Sequence, residues 1–258
     1  MKEKGGVAFL PKQVKPLEKF SLPKIIWPTT HCVLCGENSV LEYPGLCRRC
    51  LQRMLANRER EVFCQSCGAF YAAQFRVCPN CFLKTPSYRK NGIFAAFPYD
   101  EDSGALVKKL KYNNRRDLAE TMAKLFFAQI SLDAADYDLV TAVPMHKKRR
   151  RERGYNQAAV FGQKIAETLS LPFAEDLLRQ TKETVSQTAL AYRERLHNLK
   201  GAFTAGLPGD LGGRRILLVD DVITTGATMK ECGAALAAAG AKKVVFVAFA
   251  AGKTQRGR

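Results

Sequence analysis

The stretch Ile216–Thr228 reads I-L-L-V-D-D-V-I-T-T-G-A-T, and it decides the fold. Ile216 to Val219 run without interruption into Asp220-Asp221, and a short Thr/Gly loop then opens an Ala-rich helix. An unbroken apolar run suits a strand buried on both faces, as in a parallel sheet. Ligands of open α/β sheets bind outside the carboxyl ends of strands, where the acidic pair falls. Thr224, Thr225 and Thr228 supply hydroxyls, Gly226 lets backbone approach closely, and the helix that follows presents free N–H groups. Together these make an anion site, most simply for a phosphate. Two carboxylates beside a phosphate repel it unless something lies between them. A ribose fits, its 2- and 3-hydroxyls donating to the acids while the loop holds the 5-phosphate. A magnesium ion with carboxylate and water ligands fits as well.

Other nucleotide and phosphate motifs are excluded. The dinucleotide fingerprint lacks this acidic pair, and a Walker loop needs a Lys after its Gly. A phosphoacceptor receiver needs a further Asp downstream, but no Asp or Glu follows Glu231. Working outward, Ile93–Tyr99 and Leu139–Val143 read as strands, as do Leu217–Val219 and Val244–Phe249. Helices are expected from a Ser103 cap through Leu110, over 117–130, over 156–169, and over 227–239 with Gly240 as the stop. Strand–helix alternation of this kind means a parallel α/β sheet.

After Pro144 comes M-H-K-K-R-R-R-E-R-G-Y-N-Q, in which six of the seven residues Lys147–Arg153 are basic. Read as a loop after a strand's carboxyl end, it can face the same crevice as Asp220-Asp221. Arg there can grip phosphate oxygens in a bidentate fork, which would suit a second anion site, for pyrophosphate. Nucleic-acid binding or a solvated charge cluster explains the same run. Gly154 supplies the turn into the next helix.

The amino-terminal third is written twice. Cys32, Cys35, Cys47 and Cys50 are followed by Cys64, Cys67, Cys78 and Cys81, as four C-x-x-C pairs. Each set of four thiolates supplies a closed tetrahedral zinc site, structural rather than catalytic, and each unit folds only with metal. His31 is read as a bystander, and Cys232 as a small core residue. The units suit a nucleic-acid reader, a partner dock or a lid; Phe70, Tyr71 and Phe75 are either stacking platforms or the unit's own core. Net charge is 41 − 24 = +17, which points to polyanionic partners. Apolar content of 47% supports a proper core. Neither a secretory signal nor a transmembrane helix is expected, and cysteine usage suits a reducing, cytoplasmic compartment. The expected organisation is a tail over 1–30 docking through Trp27, a double zinc ribbon over 31–85, an α/β domain over 86–252, and a basic tail over 253–258.

V-D-D-V-I-T-T-G-A-T closely resembles the phosphoribosyl pyrophosphate (PRPP) signature of type I phosphoribosyltransferases. With the cysteine ribbons, V-P-M-H-K-K-R-R-R-E-R-G-Y-N-Q and Q-T-A-L-A-Y-R-E-R-L-H-N-L-K-G-A-F, residues 25–250 look like the ComF family of competence-associated phosphoribosyltransferase-like proteins. The resemblance implies a type I phosphoribosyltransferase fold with amino-terminal zinc, and a link to uptake of single-stranded DNA. It implies PRPP and Mg²⁺ as ligands. Asp220, Asp221, Val222, Thr224, Thr225, Gly226, Ala227 and Thr228 would hold ribose 5-phosphate, with the two Asp at the catalytic centre. His146, Arg149, Arg153, Gly154, Asn156 and Gln157 would form the pyrophosphate side. Lys182, Gln187, Arg195 and Asn198 would belong to a lid or hood, which is otherwise an ordinary surface loop. Many ComF-like chains carry Arg where this one has Lys182, a change that keeps the charge and weakens a bidentate contact.

Three functions stay open: an active phosphoribosyltransferase, a non-catalytic single-stranded-DNA adaptor, and a PRPP-sensing regulator. Partners would be PRPP, single-stranded DNA and uptake machinery at the inner membrane face. No motif identifies an acceptor base.

Overall fold

The computed structural model describes residues 31–75, 78, 81, 92–181, 201–205 and 211–254. Trp27 with its tail and the four lid positions Lys182, Gln187, Arg195 and Asn198 lie outside the described residues.

Among the described residues, four parallel strands make the central sheet, in the order β3-β8-β7-β4. They are β3 (Ile93–Pro98), β4 (Leu139–Ala142), β7 (Arg215–Ile223) and β8 (Lys243–Ala251). The run that begins at Ile216 is therefore a central strand, pairing Leu217 with Val140 on one side and with Val245 on the other. Its alternation fills both faces, because successive strand residues point opposite ways. Leu217 and Val219 join one core with Phe126, Phe161, Ile165 and Phe249. Ile216 and Leu218 join the other with Met229, Cys232, Leu236 and Phe246. Cys232 is fully buried there, as its lone place on an apolar helix face led one to expect.

Helices close both faces. On the first lie α2 (Glu101–Tyr112), α3 (Leu118–Gln129) and α5 (Gln157–Leu169); on the second lies α6 (Ala227–Ala238). At Gly233 a Cβ would come within 2.9 Å of the Phe246 ring, so only glycine lets α6 approach the sheet this closely. The cap of α2 differs from expectation. Asp100 is the N-cap and accepts from the Ser103 N–H, while Ser103 Oγ accepts from the Asp100 N–H. This reciprocal box satisfies two otherwise orphaned donors, which a lone Ser cap cannot. A two-stranded antiparallel ribbon, β5 (Leu178–Gln180) with β6 (Phe203–Ala205), packs on the α6 side.

The stretch after Pro144 is not a loop. Lys147–Arg153 forms helix α4, closed by Gly154 at φ 83°. Its charges tolerate helix because they are spread around a short exposed cylinder, with Arg150, Arg151 and Arg153 in the last turn where the helix dipole favours cations.

The cysteine units dock on this core. In the first, Cys47 caps helix α1 (Arg48–Glu59) and Cys50 lies in its opening turn, so the second knuckle is a helix start rather than a hairpin. In the second, Cys64 and Cys67 sit between β1 (Glu61–Phe63) and β2 (Phe70–Ala72). Leu46 and Met54 share the core of α3 and α5. Thr121 Oγ1 donates to the Pro44 carbonyl at 2.7 Å, and Arg53 grips the buried Asp102 with two bonds of 2.6 and 2.7 Å. Phe70 pairs with Lys253, whose Nζ meets Glu61 at 2.8 Å, so the chain after β8 begins as an extension of the second unit.

Candidate functional site

The carboxyl ends of β4 and β7 open into a cleft of about 660 Å³. β4 ends at Ala142 opposite Val219, whereas β7 continues to Ile223 against β8. Asp220 and Asp221 thus remain inside a strand but lose their neighbour on the β4 side. That one-sided ending makes the cleft. As consecutive strand residues they diverge, Asp220 following Ile216 and Leu218 toward α6 and Asp221 following Leu217 and Val219 toward α2.

The two acids stand in different surroundings. Asp220 is partly exposed along the cleft. Burial and the adjacent Asp221 charge push its carboxyl well above the usual range, and its Oδ1 accepts the Asp221 N–H at 2.8 Å. Asp221 is 6% exposed and lies 2.5 Å from the ammonium of Lys111. Burial works against the charge of Lys111, but the Asp221 and Asp220 carboxylates outweigh it, and its pKa is raised.

Asp220, Asp221 and Val222 of the strand and Thr224 and Thr228 beyond it line the cleft; Thr225, Gly226 and Ala227 do not. Thr225 Oγ1 instead accepts the Ala227 N–H at 3.3 Å, Gly226 takes φ 72° as the N-cap of α6, and Ala227 is buried. Across the cleft, α4 divides its charges by helical phase. His146, Arg149 and Arg153 line the cavity, while Lys147, Lys148, Arg150 and Arg151 are exposed. Arg149 and Arg153 are four residues apart, hence on one face. Among the described residues the buried His146 Nδ1 has no hydrogen-bond partner. Arg153 donates to Gln157 Oε1 at 2.9 Å and lies over the Tyr112 ring at 5.0 Å. Asn156 has a holding role: it donates to the Val143 carbonyl at 2.9 Å and accepts the Ala158 N–H at 3.1 Å. That ties the start of α5 to the end of β4. Gly154 does not line the cleft and serves as the turn between the helices.

Each set of four cysteines converges, with its sulfurs within 4.8 Å of one another. Cys35 and Cys47 are 3.5 Å apart, as are Cys64 and Cys81, and Cys67 and Cys78 are 3.6 Å apart. Tetrahedral thiolates at about 2.3 Å from zinc would stand about 3.8 Å from one another, so the donor sets fit that ion. Thiols packed this closely resist ionising: burial pushes Cys50 and Cys67 up, while the Glu37 backbone draws Cys35 down to about 7. A divalent cation removes that penalty. His31 pairs with Asn38 in an isolated antiparallel bridge and is not in the cluster.

Residues 147–258 match the model of the phosphoribosyl transferase domain family. The chain is 29% identical over 219 residues to Competence protein F of Haemophilus influenzae, covering 83% of this chain and 93% of that one. It is 29% identical over 218 residues to DNA utilization protein YhgH of Salmonella typhimurium, with the same coverage of 83% and 93%. Over 228 residues it is 26% identical to Competence protein ComFC of Streptococcus pneumoniae, covering 83% and 96%. The chain is ComF-like. Its sheet of parallel strands flanked by helices, with two four-cysteine clusters ahead of it, is the architecture expected from the sequence.

Several cleft residues of this ComF-like chain escaped the sequence reading: Lys108, Lys111, Tyr99, Tyr112, Gln180 and Phe203. Lys111 is one of three lysines in K-K-L-K, and nothing in that run separates it from its neighbours. Among the described residues no helix is long and apolar enough to cross a membrane.

Proposed function

We propose that this protein binds PRPP with Mg²⁺ and acts as a phosphoribosyltransferase in a process that handles incoming DNA. One observation carries the reading: a Thr-lined strand-to-helix turn, an acidic pair, and the basic side chains of Arg149 and Arg153 on α4 with His146 at its cap share one cleft. A ribose carrying phosphate at one end and pyrophosphate at the other needs those three chemistries in that order. Asp220 and Asp221 accept from the ribose hydroxyls. Thr224, Thr228 and the N-terminus of α6 take the 5-phosphate, and His146, Arg149 and Arg153 take the pyrophosphate. A nitrogen nucleophile attacks the anomeric carbon as the C–O bond to pyrophosphate breaks. Negative charge gathers on the leaving group, where the α4 cations strengthen their hold as it develops. The acidic pair and the ligand would together hold Mg²⁺, which would supply further neutralisation of that charge. The names of its relatives support an association with DNA uptake, and the thiol sets suit the cytoplasm.

The test is calorimetric titration of PRPP with Mg²⁺ into zinc-loaded protein, beside an Asp220→Ala, Asp221→Ala double variant with a matching far-UV spectrum. Micromolar binding by the wild type that vanishes in the variant is expected. A folded, zinc-loaded wild type that does not bind PRPP overturns the reading.

A second reading has its own observation. Lys147, Lys148, Arg150 and Arg151 face solvent on the outer side of α4. They suit the backbone of single-stranded DNA, and binding there would weaken steeply with salt. The two readings are compatible because they use opposite faces of one helix. A PRPP sensor would bind the ligand through the same cleft without releasing pyrophosphate.

A further inference from the structure

Lys111 lies in the last turn of helix α2 and reaches into the cleft with its side chain only a quarter exposed. Its ammonium lies 2.5 Å from Asp221 Oδ2 and is attracted by Asp220 as well. Arg153 on the opposite wall is close enough to repel it. Lys111 therefore sits between the acidic pair and the basic wall, with a counter-charge on one side and a fellow cation on the other. Lys111 already occupies the buried Oδ2 of Asp221, so a ribose hydroxyl donating to that oxygen divides its charge with the ammonium. A sugar that donates to Asp221 competes with Lys111, and the freed ammonium has nowhere better to go than an anion held by Arg149 and Arg153. A lysine suits such an exchange: it is a compact charge on a flexible four-carbon stem, without the fixed fork of arginine.

We infer that Lys111 is a further ligand-binding residue, which neutralises the Asp220–Asp221 pair and transfers to the pyrophosphate oxygens of a phosphoribosyl ligand when the ribose hydroxyls engage Asp221. The inference rests on the phosphoribosyl reading above and adds a residue to it. It also predicts opposite behaviour toward two ligands. One with pyrophosphate gains a contact from Lys111, whereas one with a bare anomeric hydroxyl must displace Lys111 and gains nothing in return.

The experiment is titration of PRPP with Mg²⁺, and separately of ribose 5-phosphate, into zinc-loaded wild type, K111M and K111R. In K111M the affinity for PRPP should fall about 10- to 100-fold, the value of a charge-assisted contact. Ribose 5-phosphate should bind as tightly as to wild type or more tightly, and K111R should recover part of the PRPP affinity. A general distortion of the cleft would weaken both ligands alike, and that result overturns the inference. So does unchanged PRPP affinity in K111M, or a wild type that binds ribose 5-phosphate and not PRPP. If wild type binds neither compound, the phosphoribosyl reading itself fails and takes the transfer with it. If K111M does not fold, the comparison moves to D221N against K111M/D221N, where no Asp221 charge is left uncompensated. The same selective loss of PRPP affinity is expected there, and its absence overturns the inference.

Discussion

The contact between Arg53 and Asp102 joins the first cysteine unit to the sheet domain, and its removal has a calculable cost. Two near-parallel bonds of 2.6 and 2.7 Å link the guanidinium on α1 to a carboxylate on α2. The Asp102 side chain is 9% exposed and the Arg53 side chain 51%. Removing one partner of a fully buried pair costs about 3–5 kcal/mol, because the other charge stays buried alone. Water reaches Arg53 and screens the pair, so Arg53→Met should cost about 2 kcal/mol, nearer the cost of an unsatisfied buried polar group. For a chain of this size that lowers Tm by roughly 4–8 °C. Arg53 Nη2 also lies 3.9 Å from Cys50 Sγ, so the variant can act through the metal instead. Asp102→Ala separates the two routes, since it leaves the thiol untouched. The assay is urea unfolding of wild type, R53M, D102A and the double variant, each with zinc content measured. A coupling energy of about 1–2 kcal/mol at full zinc occupancy is expected for such a charge pair. A coupling near zero, or a loss that tracks zinc content alone, would refute the reasoning.

Two further outcomes follow from the same contacts. Chelating the metal should loosen more than residues 31–81, because Leu46 and Met54 share the core of α3 and α5; hydrogen exchange at Thr121 and its helix neighbours should rise along with the cysteine units, and confinement of the change to those units would contradict this. Asp220→Asn should stabilise the protein without added ligand while weakening PRPP binding. The folded-state pKa of Asp220 lies above its unfolded value, so its carboxyl favours folding only while protonated. That contribution is full below about pH 4 and is lost as pH rises through the raised value. Melting curves taken upward from pH 4 should therefore decline less in the variant, and parallel declines would show that Asp220 is not the source.

The elements legible in the sequence were those in which one local signal sufficed. Ile216–Val219 could hardly be anything but a buried strand, and the spacing of the cysteines admitted one grouping. The basic run hides its helix because it lies between a strand's end and the next helix, where a loop is expected, yet six cations around a seven-residue helix separate by phase: Arg149 and Arg153 turn into the cleft and four others turn away. Helical phase was readable only once the run was known to be helical. Ser103 misled more narrowly, because a capping box is reciprocal and Ser103 is its inner member, with Asp100 as the cap. Lys111 was beyond reach for a different reason. Its partner Asp221 lies 110 positions further along the chain, and K-K-L-K offers three lysines with the same chemistry. What selects Lys111 is that α2, bound through Asp102 to the first cysteine unit, places its last turn over the ends of β7 and β4. The cation beside the acidic pair is thus positioned by the same helix that anchors the first four-cysteine unit. A residue whose role is set by the docking of two units leaves no mark in the sequence of either.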